Sequence, residues 1–465
     1  MISKAQLRDY KENDIDALYA SLRSCSSSLE ARVILENLGR LPKDFDGEVL
    51  IPFLNDAIRD TRYWAVKNLG KLEDIRFLRR LSEVAIEDAS STVRREAVSA
   101  IGRMRNKHAI PTLVKFLHDD DPNVVLQAIR ALLVFKSHER VRDCLRSLRD
   151  HPNEQIRYVL DMEFESKPSI SDYGMHHESP DYMKNVVVEG DTREVMRLLP
   201  DGCIHLTFTS PPYYNARDYS IYKSYQQYLD FLGEVFEAVH RITKEGRFLL
   251  INTSPVIVSR FSRKHSSRRY PIPFDLHNIV CDLDWEFIDD IVWAKPEASV
   301  KNRNGGFQQH RKPLGYKPNM TTEYVMVYRK KSSRLIDWNM RQYPKPTVEE
   351  SKVKDDFETT NLWHIDPMSD AVHTAVFPHE LCDKVVKFYS YVGDLVFDPF
   401  AGSGTFGQSA KRLKRYFFLT EQEPKFVSRM KDMMLQNQIS DPAPRFVSRE
   451  EFKLLAERSQ QNAAS

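Results

Sequence analysis

Paired cysteines, long apolar runs and a secretory leader are all missing from this 465-residue sequence. The cysteines are scattered without a paired spacing, at Cys25, Cys144, Cys203, Cys281 and Cys382. This scatter predicts neither a disulfide framework nor a zinc site, and it suits a reducing cytoplasm. No apolar run approaches the length that spans a bilayer, and the amino-terminal residues are polar. We therefore expect a cytoplasmic protein with no metal site and no membrane partner.

Neither positive nor negative residues are in large excess. The chain has 68 basic and 66 acidic residues, for a net charge of +2. Affinity for nucleic acid must then come from local basic patches. No glycine loop ends in Gly-Lys-Ser/Thr, which argues against a P-loop that hydrolyses nucleotides. The length predicts several domains with more than one core.

The first 163 residues carry an internal repeat. Small residues recur every 31 or 32 positions, with Gly39, Gly70 and Gly102 in one set and Ala65, Ala97 and Ala128 in another. Small residues at this period inside amphipathic helices predict stacked helical pairs, and the pattern resembles HEAT-like repeats. We predict an all-α helical repeat solenoid over residues 1–163, with an ordinary helical bundle as the alternative. A Ser- and Pro-containing linker is predicted at 164–183.

Two roles are open for the repeats. A concave face either follows DNA or holds a protein partner. The first role would use the arginines of the repeats, namely Arg62, Arg94, Arg95, Arg103, Arg105 and Arg130. Arginines at such turns are also commonly structural, so the sequence leaves this choice open.

A different pattern begins after the linker. The apolar, β-branched run 204–208 predicts a buried strand that emerges at the carboxyl edge of a sheet, and Thr-Ser-Pro-Pro-Tyr follows at 209–213. The two prolines fix φ and remove backbone donors, which leaves the carbonyls of Ser210 and Pro211 to accept hydrogen bonds from an exocyclic amine. The face of Tyr213 suits a stacked base. This segment therefore predicts a site for a planar amine.

The second motif lies almost two hundred residues later. A strand at 395–397, a glycine loop at 398–405 and a helix at 406–413 form the unit that places ligands at the carboxyl end of a doubly wound sheet. A further strand, 416–420, ends in Glu421, at about the distance where such folds present a carboxylate to ribose hydroxyls.

Together the two motifs resemble the paired signatures of a β-class DNA amino-methyltransferase that uses S-adenosylmethionine. The catalytic loop precedes the cofactor loop, as in that class. Shorter segments resemble the family's other motifs in the expected order, at 189–191, 291–296, 322–327, 361–363 and 373–378. The resemblance implies a Rossmann-like, doubly wound α/β methyltransferase domain over 184–440, with the catalytic half first. A polar tail is expected at 441–465.

The resemblance also assigns roles to residues. The catalytic set is Ser210, Pro211, Pro212 and Tyr213. The cofactor-binding set is Asp191, Thr209, His373, Ala375, Phe377, Pro378, Asp398, Pro399, Phe400, Gly402, Ser403, Gly404, Thr405 and Glu421. Basic loops supply a DNA-binding set of Arg260, Arg263, Lys264, Arg268, Arg269, Lys295, Lys301, Arg303, Arg311 and Lys312.

The prediction of the target base depends on one position, Ser210. Within the family, Ser at the place of Ser210 goes more often with methylation of cytosine at N4, and Asp with adenine at N6. We therefore predict a cytosine-N4 methyltransferase that acts on a base flipped out of double-stranded DNA, with a companion restriction nuclease as the implied partner. Adenine N6 is the near alternative, RNA is a less favoured substrate, and a DNA-binding scaffold with an inactive methyltransferase fold is the alternative of another class.

Overall fold

The computed structural model describes residues 3–42, 44–164, 178–214, 222–258, 262, 264–265, 268–300, 313–314, 318–332, 334–354, 358–368, 376–436 and 443–464. The chain divides into two compact units, Met1–Lys167 and Pro168–Ser465. The division falls inside the predicted linker, most of which lies outside the described residues. The last part of that linker, 178–183, belongs to the second unit, because Ser179 is buried there and donates to the Cys203 carbonyl at 2.7 Å.

The first unit is helical throughout its described part. Its α-helices are α1 (Lys4–Asn13), α2 (Ile15–Arg23), α3 (Ser28–Asn37), α4 (Arg59–Leu72), α5 (Leu78–Glu87), α6 (Ser91–Arg103), α7 (Ile110–Lys115), α8 (Pro122–Leu133), α9 (Glu139–Arg146) and α10 (Glu154–Phe164). Short 3-10 helices join them at Gly47–Asn55, Ile75–Phe77, Lys107–Ala109 and Phe116–His118. One continuous apolar core runs through the unit, as stacked helices require.

The repeated glycines explain how closely the helices of this unit pack. A Cβ on Gly70 of α4 would lie 2.6 Å from the Ala100 side chain of α6. A Cβ on Gly102 of α6 would lie 2.7 Å from the Ala131 side chain of α8. Both contacts are too short for a larger residue, so Gly70 and Gly102 mark the close approach of successive helices. Gly39, the first glycine of the set, has φ +62° after α3 and makes no such close contact.

Repeated arginines stabilise the turns between these helices. Arg62, Arg94 and Arg157 each donate to two backbone carbonyls five and six residues earlier, at 2.6 to 3.5 Å. Arg62 also pairs with Asp88 at 2.7 Å, and Arg94 pairs with Asp119 at 2.9 Å, so each guanidinium joins its own turn to the next one. Arg62 and Arg94, which are candidates for DNA contact by sequence, are thus engaged within the unit.

The second unit is built on a nine-stranded mixed sheet and a two-stranded hairpin. Its strands are β1 (Val186–Glu189), β2 (Ile204–Thr209), β3 (Thr243–Thr253), β4 (Val256–Val258), β5 (Arg268–Tyr270), β6 (Trp285–Ala294), β7 (Thr322–Lys330), β8 (Leu362–His364), β9 (Leu395–Asp398), β10 (Tyr416–Glu421) and β11 (Arg445–Ser448). Its helices are α11 (Thr192–Met196), α12 (Tyr225–Ile242), α13 (Ile272–Asp282), α14 (Ile336–Arg341), α15 (Lys345–Ser351), α16 (His379–Tyr389), α17 (Thr405–Arg412), α18 (Pro424–Gln436) and α19 (Arg449–Ala464).

The strand order in the main sheet is β11-β1-β10-β9-β2-β3-β7-β6-β8. Strands from β11 to β3 run parallel, and β7 is antiparallel to both of its neighbours. Alternate side chains of one strand enter two different cores, as when Leu395 and Phe397 pack on one face and Val396 packs on the other. Helices therefore cover both faces, which confirms the predicted α/β architecture.

The topology places the predicted loops at one edge. Parallel strands end at the same edge, so the loops after β1, β2, β9 and β10 lie side by side. The antiparallel β7 begins at that edge, which brings its first residues to the same place. The strands at 204–208, 395–397 and 416–420 and the helix at 406–413 are all found close to their predicted bounds.

The opposite edge is held by a buried polar cluster. Asp394, just before β9, accepts hydrogen bonds from Arg247 of β3 and from the Tyr343 hydroxyl, the latter at 2.5 Å. The Nδ1 atom of His205 in β2 accepts from the Leu395 backbone at 3.0 Å. These bonds join β2, β3 and β9 at their amino ends.

The expected polar tail forms regular structure instead. Strand β11 pairs in parallel with β1, with Val187 opposite Phe446. Helix α19 follows, and its Phe452 is fully buried in the core beside Phe418 of β10, with ring centroids 5.1 Å apart. The segment is polar because its outer face is exposed, while a few apolar residues at helical spacing anchor it.

The arginine turns of the first unit give a stability prediction. Arg94→Ala should lower the free energy of unfolding by about 2 to 3 kcal/mol, because Asp119 and two carbonyls lose a largely buried partner. Urea unfolding of the full chain measures the change. Arg79→Ala is the matched control, since Arg79 is 86% exposed in its pair with Glu83 and should change stability by less than about 0.5 kcal/mol. Equal effects of the two substitutions would contradict the structural role of Arg94.

Candidate functional site

A cleft of about 400 Å³ opens at the carboxyl edge of the main sheet, a volume typical of small-molecule sites. Most of the predicted catalytic and cofactor-binding residues line it, namely Asp191, Ser210, Pro211, Pro212, Tyr213, Phe377, Asp398, Pro399, Phe400, Gly402, Ser403, Thr405 and Glu421, and so does Lys295 of the predicted DNA-binding set. Thr209 is not part of the lining, but its hydroxyl donates to Asp398, which is. Pro378 and Gly404 are outside its lining, and His373 and Ala375 lie outside the described residues.

Asp398 joins the two predicted motifs. Its Oδ1 accepts a hydrogen bond from the Thr209 hydroxyl at 2.6 Å and from the Phe400 backbone at 3.0 Å. The carboxyl is buried, and burial raises its pKa to about 7 against the opposing effect of these two bonds. The end of β2 is thereby tied to the glycine loop after β9, which explains why Thr209 and Asp398 belong to one site.

Glu421 at the end of β10 has a different set of partners. Its Oε2 accepts from the Gly402 backbone and its Oε1 from the Glu423 backbone, both at 2.9 Å. Burial raises the pKa of Glu421, and these backbone bonds oppose the rise. Gly402 has φ +52°, a conformation that favours glycine and aims its N–H at the carboxylate. The carboxylate is thus oriented at the cleft, where each oxygen retains a lone pair for a ligand hydroxyl.

Asp191 caps helix α11 at the same edge. Its Oδ1 accepts from the Arg193 backbone at 2.8 Å, and the Arg193 guanidinium donates to Oδ2 at 2.9 Å. Burial opposes the charge of Asp191, but the bonds from Arg193 outweigh it and lower the pKa of this carboxyl. Asp191 therefore brings a fixed negative charge to the end of the cleft next to β1.

Aromatic side chains form the apolar walls. Phe377 stacks on Phe208 of β2 with ring centroids 4.5 Å apart, and Phe208 meets Phe406 of α17 edge-on at 5.3 Å. Phe400 and Phe426 line the side formed by the glycine loop and α18. A planar, partly apolar ligand fits between such walls.

The Pro-Pro loop after β2 is fixed through the phenol of Tyr213. The hydroxyl of Tyr213 donates to Oε2 of Glu323 at 3.3 Å. Burial raises the pKa of Tyr213 well above its usual value, with the charge of Glu323 acting in the same direction. The phenol therefore keeps its proton across the physiological range and remains a donor.

Lys295, a member of the predicted DNA-binding set, faces the cleft. Its ammonium pairs with Glu323 and lies 4.2 Å from the centroid of the Trp293 ring. The Trp293 indole donates to the Ile365 carbonyl at 2.8 Å. Both side chains of the ion pair are largely buried, with 16% and 17% exposed. The local sequence, a Lys-Pro pair after a strand, does not indicate that the lysine side chain faces the cleft.

Sequence reasoning missed several residues of the cleft. Glu323, Trp293 and Asn252 come from strands β7, β6 and β3, and Tyr222, Phe231 and Phe426 come from beside or within helices α12 and α18. The segment 322–327 is among those that resemble motifs of the family, but nothing local distinguishes Glu323 from a solvent-exposed acid. Its role follows only from the pairing of β7 with β3 and β6.

Part of the predicted DNA-binding set lies on a hairpin beside the Pro-Pro loop. Strands β4 and β5 pair, and Arg268 and Arg269 of β5 are exposed. Tyr270, which ends β5, packs edge-on against Tyr214 with ring centroids 4.8 Å apart. Lys264 is exposed in the connection. The other members of the set, Arg260, Arg263, Lys301, Arg303, Arg311 and Lys312, lie outside the described residues.

Two kinds of site are absent from the described residues. No cluster of three or more His, Cys, Asp or Glu side chains there is arranged to hold a metal ion. No helix within those ranges has both the length and the apolar character that a membrane span requires.

Family models match both units of the chain. A model described as DNA methylase matches residues 204–432, and a model of HEAT repeats matches residues 78–160. The first match contains the Pro-Pro loop, the glycine loop and Glu421. The second contains helices α5 to α9 and most of α10.

Curated relatives share the second unit. The type II methyltransferase M.Cfr9I of Citrobacter freundii is 28% identical over 297 residues, which cover 56% of this chain and 92% of the relative. The type II beta methyltransferase M.BslI of Bacillus sp. strain NEB-606 is 26% identical over 261 residues, which cover 54% of this chain but only 27% of that longer relative. The similarity thus concerns one unit of this chain.

Solved structures resemble the same region. The DNA modification methylase TTHA0409 of Thermus thermophilus, complexed with S-adenosyl-L-methionine, is 26% identical and matches 56% of this chain and 99% of its own, with a TM-score of 0.45. The PvuII cytosine-N4-specific DNA methyltransferase is 20% identical and matches 62% of this chain and 97% of its own, with a TM-score of 0.42.

The burial of Asp398 gives a pH prediction for the unliganded protein. From about pH 4 to about pH 7 the unfolded carboxyl has lost its proton while the folded one keeps it, so the free energy of unfolding falls as the pH rises. Between about pH 5 and about pH 8, Asp398→Asn should remove about 2 to 3 kcal/mol of this fall, because the folded pKa lies about two units above the lower pH. Urea unfolding at about pH 5 and about pH 8 measures the slope. Asp284→Asn, at a side chain 77% exposed, is the control. If Asp398→Asn keeps the wild-type slope, the folded carboxyl is ionised.

Proposed function

We propose that this chain, whose residues 204–432 match the DNA methylase model, transfers the methyl group of S-adenosylmethionine to N4 of cytosine in double-stranded DNA. The observation that carries the proposal is the meeting, in one cleft, of a Ser-Pro-Pro-Tyr loop with a glycine loop and the Glu421 carboxylate. The Ser-Pro-Pro-Tyr loop suits an exocyclic amine. The glycine loop and Glu421 suit the nucleoside part of the cofactor. Ser210 at the first loop position favours cytosine.

The residues present fit S-adenosylmethionine. Glu421 is aimed into the cleft by the Gly402 backbone and suits the ribose hydroxyls, while Phe400 and Phe426 suit the flat adenine ring. Asp191 brings negative charge to the same end of the cleft. When bound, this cofactor supplies a methyl group that is already activated by a positively charged sulfur.

The protein's contribution is then mainly positioning. An exocyclic amine lends its lone pair to the ring, so it is a poor nucleophile until its hydrogens are held out of the ring plane. The Ser210 hydroxyl and the Pro211 carbonyl are acceptors suited to those hydrogens. The amine nitrogen gains the methyl carbon, the carbon–sulfur bond breaks to leave a neutral thioether, and one amine proton passes to water. No strong acid or base is needed at any step.

Access to the amine requires base flipping. Inside a duplex the N4 amine is paired, so the cytosine must leave the stack to enter the cleft. The hydroxyl of Tyr213 is bonded to Glu323, which holds the ring in place, and the ring offers a face for the flipped base. The hairpin β4–β5 carries Arg268 and Arg269 beside this loop, where they suit the phosphates flanking the flipped nucleotide.

The repeat unit and the biological setting complete the proposal. A HEAT-like solenoid that holds DNA or a protein partner agrees with the stacking of α4, α6 and α8 around Gly70 and Gly102. Type II methyltransferases among the relatives support a restriction-modification setting with a companion nuclease. Adenine N6 in the same cleft is the second candidate, because a serine hydroxyl accepts from either amine.

The reaction product tests the proposal directly. The purified chain is incubated with S-adenosylmethionine and unmethylated DNA of mixed sequence, and nucleosides are identified by mass. We expect N4-methylcytosine. N6-methyladenine would keep the mechanism and correct the base. No methylated nucleoside on DNA or RNA, with the cofactor shown to bind, would favour the inactive scaffold.

Substitution of Ser210 tests its role. Ser210→Ala should lower kcat about 10- to 100-fold, because one acceptor for the amine hydrogens is lost, while the affinity for the cofactor is nearly kept. Glu421→Ala is the contrasting variant and should weaken cofactor binding, measured by calorimetry. A parallel loss of cofactor affinity in Ser210→Ala would remove Ser210 from the catalytic set.

The hairpin gives a DNA-binding prediction. Arg268→Gln combined with Arg269→Gln should weaken DNA binding and lower the slope of log K against log salt by up to about 2, because two phosphate contacts are lost. Lys352→Gln combined with Lys354→Gln, after α15 near the opposite edge of the sheet, is the matched control. An unchanged salt slope in the hairpin variant would exclude these arginines from the DNA interface.

A further inference from the structure

A lysine and a glutamate form an ion pair inside the cleft, next to the Pro-Pro loop. The ammonium of Lys295, directly after β6, pairs with Oε1 of Glu323 at the start of β7. The other oxygen of this carboxylate, Oε2, accepts from the Tyr213 hydroxyl at 3.3 Å. All three side chains line the cleft. One carboxylate therefore holds the ammonium beside the loop that is proposed to bind the amine.

The ammonium of Lys295 has a proton left for a ligand. An ammonium has three protons to donate and accepts no hydrogen bond. One proton is directed at Glu323, and the nitrogen lies over the Trp293 ring, 4.2 Å from its centroid. Within the ranges that the structure describes, this ammonium makes no other hydrogen bond. A proton is thus available to an acceptor on a ligand in the cleft.

The other donors on this side of the cleft are already engaged. The phenol proton of Tyr213 is directed at Glu323, and the indole N–H of Trp293 donates to the Ile365 carbonyl at 2.8 Å. Lys295 is also the one basic side chain in the described lining of the cleft. A ligand whose acceptors lie beside the amine would therefore find its charged donor in Lys295.

The pairing edge of cytosine has such acceptors. The N4 amine donates, and the next two groups along the edge, N3 and O2, accept. Enzymes that flip a base read this edge through hydrogen bonds. The acceptors of the Pro-Pro loop suit the amine, but N3 and O2 need a donor, which that loop does not supply because its prolines have no N–H. Lys295 supplies the missing type of group.

We propose that Lys295 binds the flipped cytosine by donating a hydrogen bond to its N3 and O2 edge, with Glu323 as the positioning residue that aims the ammonium. This rests on the proposed function, since it names a residue that reads the base in that reaction. Adenine has one acceptor, N1, beside its amine and a C–H group in the next place. The contact therefore adds to the preference for cytosine that Ser210 gives.

Burial distinguishes this role from a phosphate contact. Binding to the DNA backbone draws on a positive charge that is free to replace counterions. The Lys295 side chain is only 16% exposed, and Glu323 already neutralises its charge. A neutral pair attracts phosphate weakly, whereas a fixed N–H suits an uncharged acceptor such as a ring nitrogen or a carbonyl. Lys295 therefore differs from the exposed arginines Arg268 and Arg269.

Base analogues test the contact. Once the methylated site is located in the product DNA, duplexes are made with cytosine, 3-deazacytosine or 2-thiocytosine at the target. The first analogue replaces N3 by C–H, and the second replaces O2 by sulfur, a weaker acceptor. Wild type should prefer cytosine over at least one analogue about 10- to 100-fold in kcat/KM, as expected for a hydrogen bond from a charged donor.

A neutral pair of side chains removes the contact. Lys295→Met combined with Glu323→Gln takes away the ammonium without leaving a buried carboxylate unpaired. This variant should lose about 10-fold or more of the preference for cytosine over that analogue. Intrinsic reactivity of the analogue is common to both proteins, so the change in preference reports the contact. Glu323→Gln alone is the matched control, because it keeps the ammonium and an oxygen beside it, and it should retain the preference.

Two further measurements separate the contact from other roles. The salt slope of DNA binding should be the same in wild type and in the double variant, whereas loss of a phosphate contact would lower it by about 1. Cofactor affinity, measured by calorimetry, should be nearly kept, because Glu421 of β10 is separated from β7 by β9, β2 and β3.

Equal preference for cytosine in wild type and in the double variant would overturn the proposal, and so would a wild type that does not distinguish either analogue from cytosine. A lower salt slope with unchanged preference would assign Lys295 to a phosphate instead. Wild-type protein that binds cofactor but forms no N4-methylcytosine is a separate outcome, seen before any analogue is used, and contradicts the proposed function itself.

Discussion

The pairing of β2 with β9 is the constraint on which the site depends. The two strands are far apart in the chain, and Thr209 and Asp398 at their carboxyl ends share a buried hydrogen bond of 2.6 Å. At their amino ends, His205 accepts from the backbone of Leu395. Because the junction is bonded at both ends, the Pro-Pro loop and the glycine loop leave the sheet side by side. The amine site and the cofactor site can then form one cleft.

The burial of each carboxyl group around this cleft, together with its partners, determines whether the group is charged. Asp398 is buried, and burial raises its pKa to about 7, so below that pH it serves as a hydrogen-bonding support. Asp191 keeps its charge because Arg193 binds it, and Glu323 is balanced by Lys295. This separation of roles among carboxyl groups follows from their partners and their depth. The chemistry proposed for the cleft needs such positioned acceptors more than it needs a titrating acid or base.

Helix packing in the first unit depends on residues that repeat along the chain. Its helices approach closely because Gly70 and Gly102 leave room for alanines of the next helix, and its turns are joined by Arg62 and Arg94 to acids of the following turn. Both features repeat at the period visible in the sequence. Each repeat contacts its neighbours, so local sequence is enough to define the arrangement within the unit.

The sequence by itself determined the repeat period, the strands around 204–208, 395–397 and 416–420, and the two loops that follow them, because apolar periodicity and rigid Pro and Gly turns are local signals. Tertiary structure decided the rest. It pairs Lys295 with Glu323 inside the cleft, and it adds part of the expected tail to the sheet as β11 beside β1. Both outcomes depend on strand pairing between distant segments. The local sequence around a residue does not show which edge or face of the sheet the residue will occupy, or which distant residue it will contact.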